Sequence, residues 1–266
     1  MADVILITGA SAGIGRSCAD RMHRDGWTVV GASRRGTSSG DWTPMVMDVD
    51  SDASVTSGFE SLLRQHGRID AVVACAGWGL AGAAEQTPIT DARDQMETNF
   101  WGAVRVVQQA LPVMRRQQSG RIILISSIGG IIGIPFQSFY SAGKFALEGY
   151  GESLAYEVAP FGIQVTLVEP GNVRTDFTEH RRQVVVPDGE SAYRTAVAKA
   201  VGTMAEDELN GVPPDDVAVT VQRVLQATRA PRRVSVGKLD ERIGIVAKRL
   251  LPYRLFERAA KGSLGV

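Results

Sequence analysis

Short, β-branched apolar runs separated by longer amphipathic stretches set the plan of this 266-residue chain. The runs are Val4 to Thr8, Thr28 to Ser33, Met45 to Asp48, Ile69 to Cys75, Arg121 to Ser126, Ile163 to Glu169 and Arg233 to Val236. Between them, apolar residues recur at helical spacing near Ile14 to Arg24, Ala53 to His66, Ala92 to Gln117, Phe139 to Val158 and Asp215 to Ala227. Strands with no polar alternation must be covered on both faces, and intervening helices supply the two covers. The pattern predicts an α/β fold: a doubly wound parallel sheet with helices on both faces, in a single domain over 1–266. No internal repeat or linker divides the chain, and 44% hydrophobic residues suffice for a large core. In such sheets ligands bind at the carboxyl ends of the strands, where the Gly-rich patches of this sequence fall.

Charge and composition narrow the function classes. The formal net charge is zero, so no field favours nucleic acid or an acidic surface. The N-terminus enters an apolar strand without a charged leader, and no apolar run is long enough to span a bilayer, which predicts a cytoplasmic protein. Cys18 and Cys75 fall in a helix and at a strand end, as two reduced thiols rather than a disulfide. His23, His66 and His180 lack the spacing of metal ligands, so no metal is expected.

The first strand end carries the most information. Val4-Ile5-Leu6-Ile7 runs into Thr8-Gly9-Ala10-Ser11-Ala12-Gly13-Ile14-Gly15 and then into a helix. Gly9 permits a sharp turn, Gly13 allows backbone to approach a pyrophosphate, and Gly15 allows the helix to lie close to the strand, with its N-terminus facing the phosphates. The second strand ends Gly31-Ala32-Ser33-Arg34-Arg35, with no acid to meet a ribose hydroxyl. Arg34, with Ser33 and Arg35, suits a 2′-phosphate, a charge-assisted contact worth about 1.5 to 3 kcal/mol. NADP(H) is therefore the preferred cofactor, with NAD(H) as the alternative. Downstream of Ser127, Tyr140 and Lys144 stand at i and i+4 of a helical segment, which puts phenol and ammonium on one face and lets the cation make the phenol more acidic.

Together these segments resemble the short-chain dehydrogenase/reductases, in their compact single-domain branch with a Rossmann fold, over nearly the whole chain. Thr8 to Gly15, including Ser11 and Ile14, matches that family's Thr-Gly-x-x-x-Gly-x-Gly cofactor loop. Asp48-Val49 matches the pair whose carboxylate meets the adenine, and Ala76-Gly77 matches the end of an Asn-Asn-Ala-Gly segment. Ala74 and Cys75 replace its two asparagines, which removes the side-chain contacts that stabilise that strand end. The resemblance implies Asn99, Ser127, Tyr140 and Lys144 as catalytic residues. It also implies that Pro170-Gly171, Val173 and Thr175 hold the nicotinamide carboxamide.

What the resemblance implies for activity is hydride transfer between NADP(H) and a carbonyl or secondary alcohol. Negative charge grows on the carbonyl oxygen during reduction, so a proton donor, Tyr140, and a hydrogen-bond donor, Ser127, must converge there. Lowering a phenol by about three units needs roughly 4 kcal/mol from its surroundings, and Lys144, helped by the positive nicotinamide of the oxidised complex, is the local cation able to supply it. Lys144 would also hold the nicotinamide ribose, while Asn99 positions a water that resupplies the proton. An idle NADP-binding sensor or scaffold on the same fold is the alternative.

Ile128 to Phe136, Phe139, Trp78 and Leu80 occupy positions that usually border the substrate pocket, and their apolar character implies a small lipophilic carbonyl or alcohol substrate. Gly133 to Phe136 and Lys144 to Gly149 are similar to hydroxysteroid and retinol dehydrogenases and to many bacterial relatives. Residues from about 176 to 212, with Pro187-Asp188-Gly189, fall where the family has a substrate lid. The extension over about 239–266 carries Ile243, Val246, Leu250, Leu251, Leu255 and Phe256 among cations. Pro252 interrupts it, so docking on the domain or a partner subunit is favoured over a membrane surface. Gly143, Ala146, Gly149 and Gly151 suit close helix packing, and the family resemblance implies a homodimer or homotetramer.

Overall fold

A parallel sheet with strand order β3-β2-β1-β4-β6-β7-β9 forms the centre of the computed structural model, which describes residues 2–37, 40–186 and 191–264, with side chains to 258. Its strands are β1 (Val4–Thr8), β2 (Thr28–Ser33), β3 (Thr43–Val46), β4 (Ala71–Ala74), β6 (Gly120–Ile125), β7 (Ile163–Pro170) and β9 (Arg233–Val236). A separate parallel pair joins β5 (Leu80–Ala81) to β8 (Arg182–Gln183). The helices are α1 (Gly13–Arg24), α2 (Asp52–His66), α3 (Ile89–Met96), α4 (Ala103–Gln117), α5 (Ser138–Glu157), α6 (Arg194–Leu209), α7 (Pro214–Gln226), α8 (Leu239–Leu250) and α9 (Tyr253–Leu264).

Alternation along β1 explains the two covered faces. Val4 and Leu6 point into one core with Phe59 and Leu62 of α2 and Val106 and Val107 of α4. Ile5 and Ile7 point into the other with Cys18 and Met22 of α1 and Val217 and Val221 of α7. Leu6 pairs with Val30 on one side and Val72 on the other, so β1 is paired along both edges. Strand order reverses between β1 and β4, which opens a crevice at their carboxyl ends. Gly9 closes β1 there with φ +68°, and a Cβ at this position would lie 3.0 Å from the Ala76 backbone.

Two departures from the sequence expectation have physical causes. β3 spans Thr43–Val46 rather than Met45 to Asp48. It tolerates Pro44 because it is the sheet's edge strand. The helix expected over Ala92 to Gln117 is instead α3 and α4 joined by a π-helical turn, Glu97–Gly102. The segment after Asp176 contains β8 and α6 as well as loop, and Pro187-Asp188-Gly189 lie outside the described residues. Among the described residues, no helix is long and apolar enough to cross a membrane, and no cluster of His, Cys, Asp and Glu could hold a metal ion.

Candidate active site

The crevice deepens into a cavity of ≈ 1250 Å³ that runs from the end of β2 to α8 and α9. Gly9, Ser11, Gly13, Ile14 and Gly15 line one end with Ser33, Arg34, Arg35, Asp48 and Val49. Ala76, Gly77 and Asn99 line its middle with Ser127, Tyr140 and Lys144, and Pro170, Gly171, Val173 and Thr175 form the opposite wall. Every candidate residue singled out in the sequence for chemistry or cofactor binding therefore borders one space.

The phosphate end is built by close approach. A Cβ on Gly15 would fall 2.3 Å from the Gly9 carbonyl oxygen, so only glycine lets α1 start so near β1. The N-cap residue, Ala12, offers no side-chain hydrogen bond to the first turn of α1, which leaves backbone N–H groups for an anion. Arg34 and Arg35 are exposed at the rim and form no ion pair among the described residues. Unpaired guanidinium groups beside an uncapped helix start fit a dinucleotide that carries an additional phosphate.

The strand end that lacks the two expected asparagines is held by other groups. Thr8 Oγ1 accepts from the Cys75 and Ala76 N–H groups at 3.0 and 3.1 Å, stitching β1 to β4. Asn99 completes the support: its Oδ1 accepts from Trp78 N at 3.0 Å and its Nδ2 donates to Trp78 O at 2.9 Å. Both ends of the amide are thus committed to one main chain. The π-helical turn makes this reach possible, a use typical of such turns near functional sites. Trp78 is pinned further by its indole N–H on Thr98 Oγ1 at 3.1 Å and by the Arg182 guanidinium 4.4 Å above its ring.

Ser127 Oγ accepts from Gly129 N at 3.0 Å and lies 3.4 Å from Pro170 O, which orients its hydroxyl at the foot of the cavity. Tyr140 is nearly buried and packs edge-on to Phe177, with ring centroids 6.1 Å apart. Lys144 is buried, donates to Ile125 O at 2.8 Å and holds Nζ 5.9 Å from the Tyr140 ring centroid.

Within the chain itself, burial outweighs the nearby cation at the phenol. Burial raises the Tyr140 pKa; a hydrogen bond with Ser127 pulls it down, Glu208 pushes it up and Arg181 lowers it. Burial also lowers Lys144 to about 8, against the raising influence of Cys75 and Glu148. At this separation the ammonium is turned to a carbonyl, and desolvation of the phenol prevails. In the protein alone, then, the phenol keeps its proton and the lysine is poised to lose one.

Several site residues carried no signal in the sequence. Glu241 of α8 accepts from Asn172 N at 2.9 Å and Asn172 Nδ2 at 2.7 Å, fixing the wall beside Gly171 from the far end of the chain. Arg181 forms a buried ion pair with Glu208, and both influence Tyr140. Of the apolar candidates, Trp78, Ile128, Ile132 and Ile134 line the cavity, whereas Leu80, Phe136 and Phe139 do not. Leu80 is a core residue. Phe136 sits at φ +58° and accepts from Gly82 N.

Comparison with known proteins agrees with this geometry. Residues 3–185 match the family described as short chain dehydrogenase. The chain is 37% identical over 259 residues to 3-ketodihydrosphingosine reductase of Bacteroides thetaiotaomicron, covering 97% of this chain and 96% of that protein. It is 34% identical to human retinol dehydrogenase 8, covering 86% of this chain and 79% of the relative. A crystal structure of a short-chain dehydrogenase from Streptomyces avermitilis superposes with a TM-score of 0.82 at 31% identity, covering 98% of each chain.

Proposed function

This chain belongs to the short-chain dehydrogenase family, and from that premise we propose that it is an NADP(H)-dependent reductase of lipophilic ketones or aldehydes. The family is one of oxidoreductases acting on CH-OH and C=O groups with NAD(P)(H). The observation that carries the narrower reading is the convergence of Ser127, Tyr140 and Lys144 in the same cavity as the uncapped start of α1 and the unpaired Arg34.

When bound, the reduced nicotinamide supplies hydride to the carbonyl carbon. Ser127 holds and polarises the carbonyl oxygen, and Tyr140 delivers a proton as charge develops there. A phenol kept protonated by burial suits the donor role in reduction. Lys144 orients the nicotinamide ribose and, while charged, stabilises the phenolate left behind. Asn99 clamps the Trp78 main chain through one bond at each end of its amide, and the second N–H and second lone pair serve to position the water that resupplies the proton. Gly9 to Gly15 cradle the pyrophosphate, Asp48 and Val49 flank the adenine, and Pro170 to Thr175 hold the carboxamide.

Ile128, Ile132, Ile134 and Phe177 give the substrate end an apolar lining, which supports a lipophilic substrate. The name of the B. thetaiotaomicron relative brings 3-ketodihydrosphingosine into the panel to be tried first. Residues of about 176–212 serve as a lid on the single 1–266 domain, with β8 laid across Trp78. We place the enzyme in the cytoplasm as a homodimer or homotetramer. Gly143 and Gly151 pack within their own chain, against Met96 and Leu124, whereas Gly149 is open and, with the exposed Trp101, Phe145 and Tyr156, offers the self-contact.

Arg34→Asp is the test of the cofactor. It should raise the KM for NADPH by about ten- to a hundredfold and leave that for NADH much less changed. Equal changes for the two cofactors would overturn the assignment.

A further inference from the structure

The C-terminal helices carry an apolar face that the domain leaves uncovered. One side of α8 is docked: Ile245 is buried, Glu241 holds Asn172, and Lys248 Nζ lies 4.9 Å from the Phe256 ring centroid of α9. On the opposite side, at i, i+4, i+7 and i+11, stand Leu239, Ile243, Val246 and Leu250, which are 71%, 56%, 54% and 77% exposed. At about 100° per residue these four fall within roughly 60° of one another, a single stripe along the helix. Arg242 and Arg249 border the stripe, and beyond the corner Leu251, Tyr253 and Leu255 extend the exposed apolar surface. Scattered exposed leucines are ordinary; a contiguous stripe with a basic edge is not.

Charge and position identify what the stripe meets. Between Lys238 and Leu264 the sequence has seven lysines and arginines against three acids, in a chain whose formal charge is zero. Ile243, Gly244, Ala247 and Phe256 also wall the substrate end of the cavity, so the helix with the stripe borders the substrate space. A two-fold contact between copies through this patch would set like charge against like charge. An anionic lipid surface accepts both the apolar stripe and its cations.

We propose that α8 and α9 seat the protein on the surface of an anionic bilayer, so that a lipophilic substrate passes between the lipid and the cavity beside them. The seating stands on the helices alone; only the passage of substrate rests on the function proposed above. The sequence pattern favours docking of the tail on the domain or a partner subunit, and docking on the domain uses only one side of α8.

Flotation of the purified full-length chain tests this, with vesicles of phosphatidylcholine alone and of phosphatidylcholine mixed with phosphatidylglycerol. The protein should float with the mixed vesicles at least about tenfold more than with the neutral ones. Raising salt from 0.1 to 1 M, which shortens screening from about 10 Å to about 3 Å, should largely release it. The exposed triple substitution Leu239→Ser, Val246→Ser, Leu250→Ser should reduce flotation by at least about tenfold, with an unchanged circular dichroism spectrum. The proposal is overturned if the native chain floats with neither vesicle, or if the triple variant floats as well as the native chain. It is overturned equally if light scattering shows the triple substitution abolishing self-association while the native chain ignores lipid. Flotation needs neither cofactor nor turnover, so its failure leaves the hydride-transfer reading standing, and failure of that reading leaves flotation interpretable.

Discussion

Tyr140→Phe is expected to lower turnover at least about a hundredfold while leaving NADPH affinity nearly unchanged. The substitution removes one oxygen and keeps the ring that packs against Phe177. The elements assigned to the phosphates, α1 and Arg34, lie at the other end of the cavity and lose no contact. Ser127 would still polarise the carbonyl, but no neighbouring acid could replace the phenol: Lys144 is turned to Ile125 O, and Glu208 is engaged with Arg181 and Thr178. Measured kcat and a fluorescence titration of NADPH separate the two effects. Retained turnover would remove Tyr140 from the chemistry.

Lys144→Met should make the protein more stable and nearly inactive. Burial depresses the Lys144 pKa from 10.5 to about 8. A folded-state pKa below the unfolded value means that the fold disfavours the charged form. The penalty is therefore present in full below about pH 8 and fades as pH rises towards 10.5. The shift corresponds to about 3 kcal/mol, and loss of the hydrogen bond to Ile125 O offsets about 1 kcal/mol of it. A gain of about 4 °C in Tm near pH 7 follows, shrinking at alkaline pH, with turnover reduced at least about a hundredfold. Thermal melts at neutral and alkaline pH check this. A lower Tm at pH 7 would mean that the ammonium stabilises the free protein, contrary to the burial argument.

Much of the architecture was legible because it follows from local pattern. β1, β2 and β9 have the bounds their apolar runs predicted, and two-sided burial of β1 is the direct consequence of its unbroken Val-Ile-Leu-Ile run. The gathering of Gly9 to Gly15 with Tyr140 and Lys144 follows once strand ends are recognised as the place where such sheets bind ligands. The π-helical turn was not legible, because Thr98-Asn99-Phe100-Trp101 has no local reason to leave an α-helix. Tertiary contact is what favours the turn there: Asn99 grips the Trp78 main chain, and a Cβ on Gly102 would meet Val49 at 2.7 Å.

Contacts between distant segments were hidden for the same reason. Glu241 and Asn172 meet only because the tail folds back over the end of β7, and nothing in either segment announces the other. The burial of Tyr140 was hidden because helical spacing reports proximity but not desolvation. Placing both groups in the interior raised the phenol and depressed the ammonium together. The replacement of two asparagines by Ala74 and Cys75 proved structurally small, since the Thr8 hydroxyl bonds the strand end from the neighbouring strand.

Transfer of deuterium from NADPH labelled at C4 of the nicotinamide, on each face in turn, is the most direct measurement of the central claim. With a panel of lipophilic ketones and aldehydes, one label should yield an alcohol bearing deuterium on the former carbonyl carbon, in amounts equal to the cofactor oxidised. If NADPH binds and neither label reaches any carbonyl in the panel, the site is not the reductase its geometry supports.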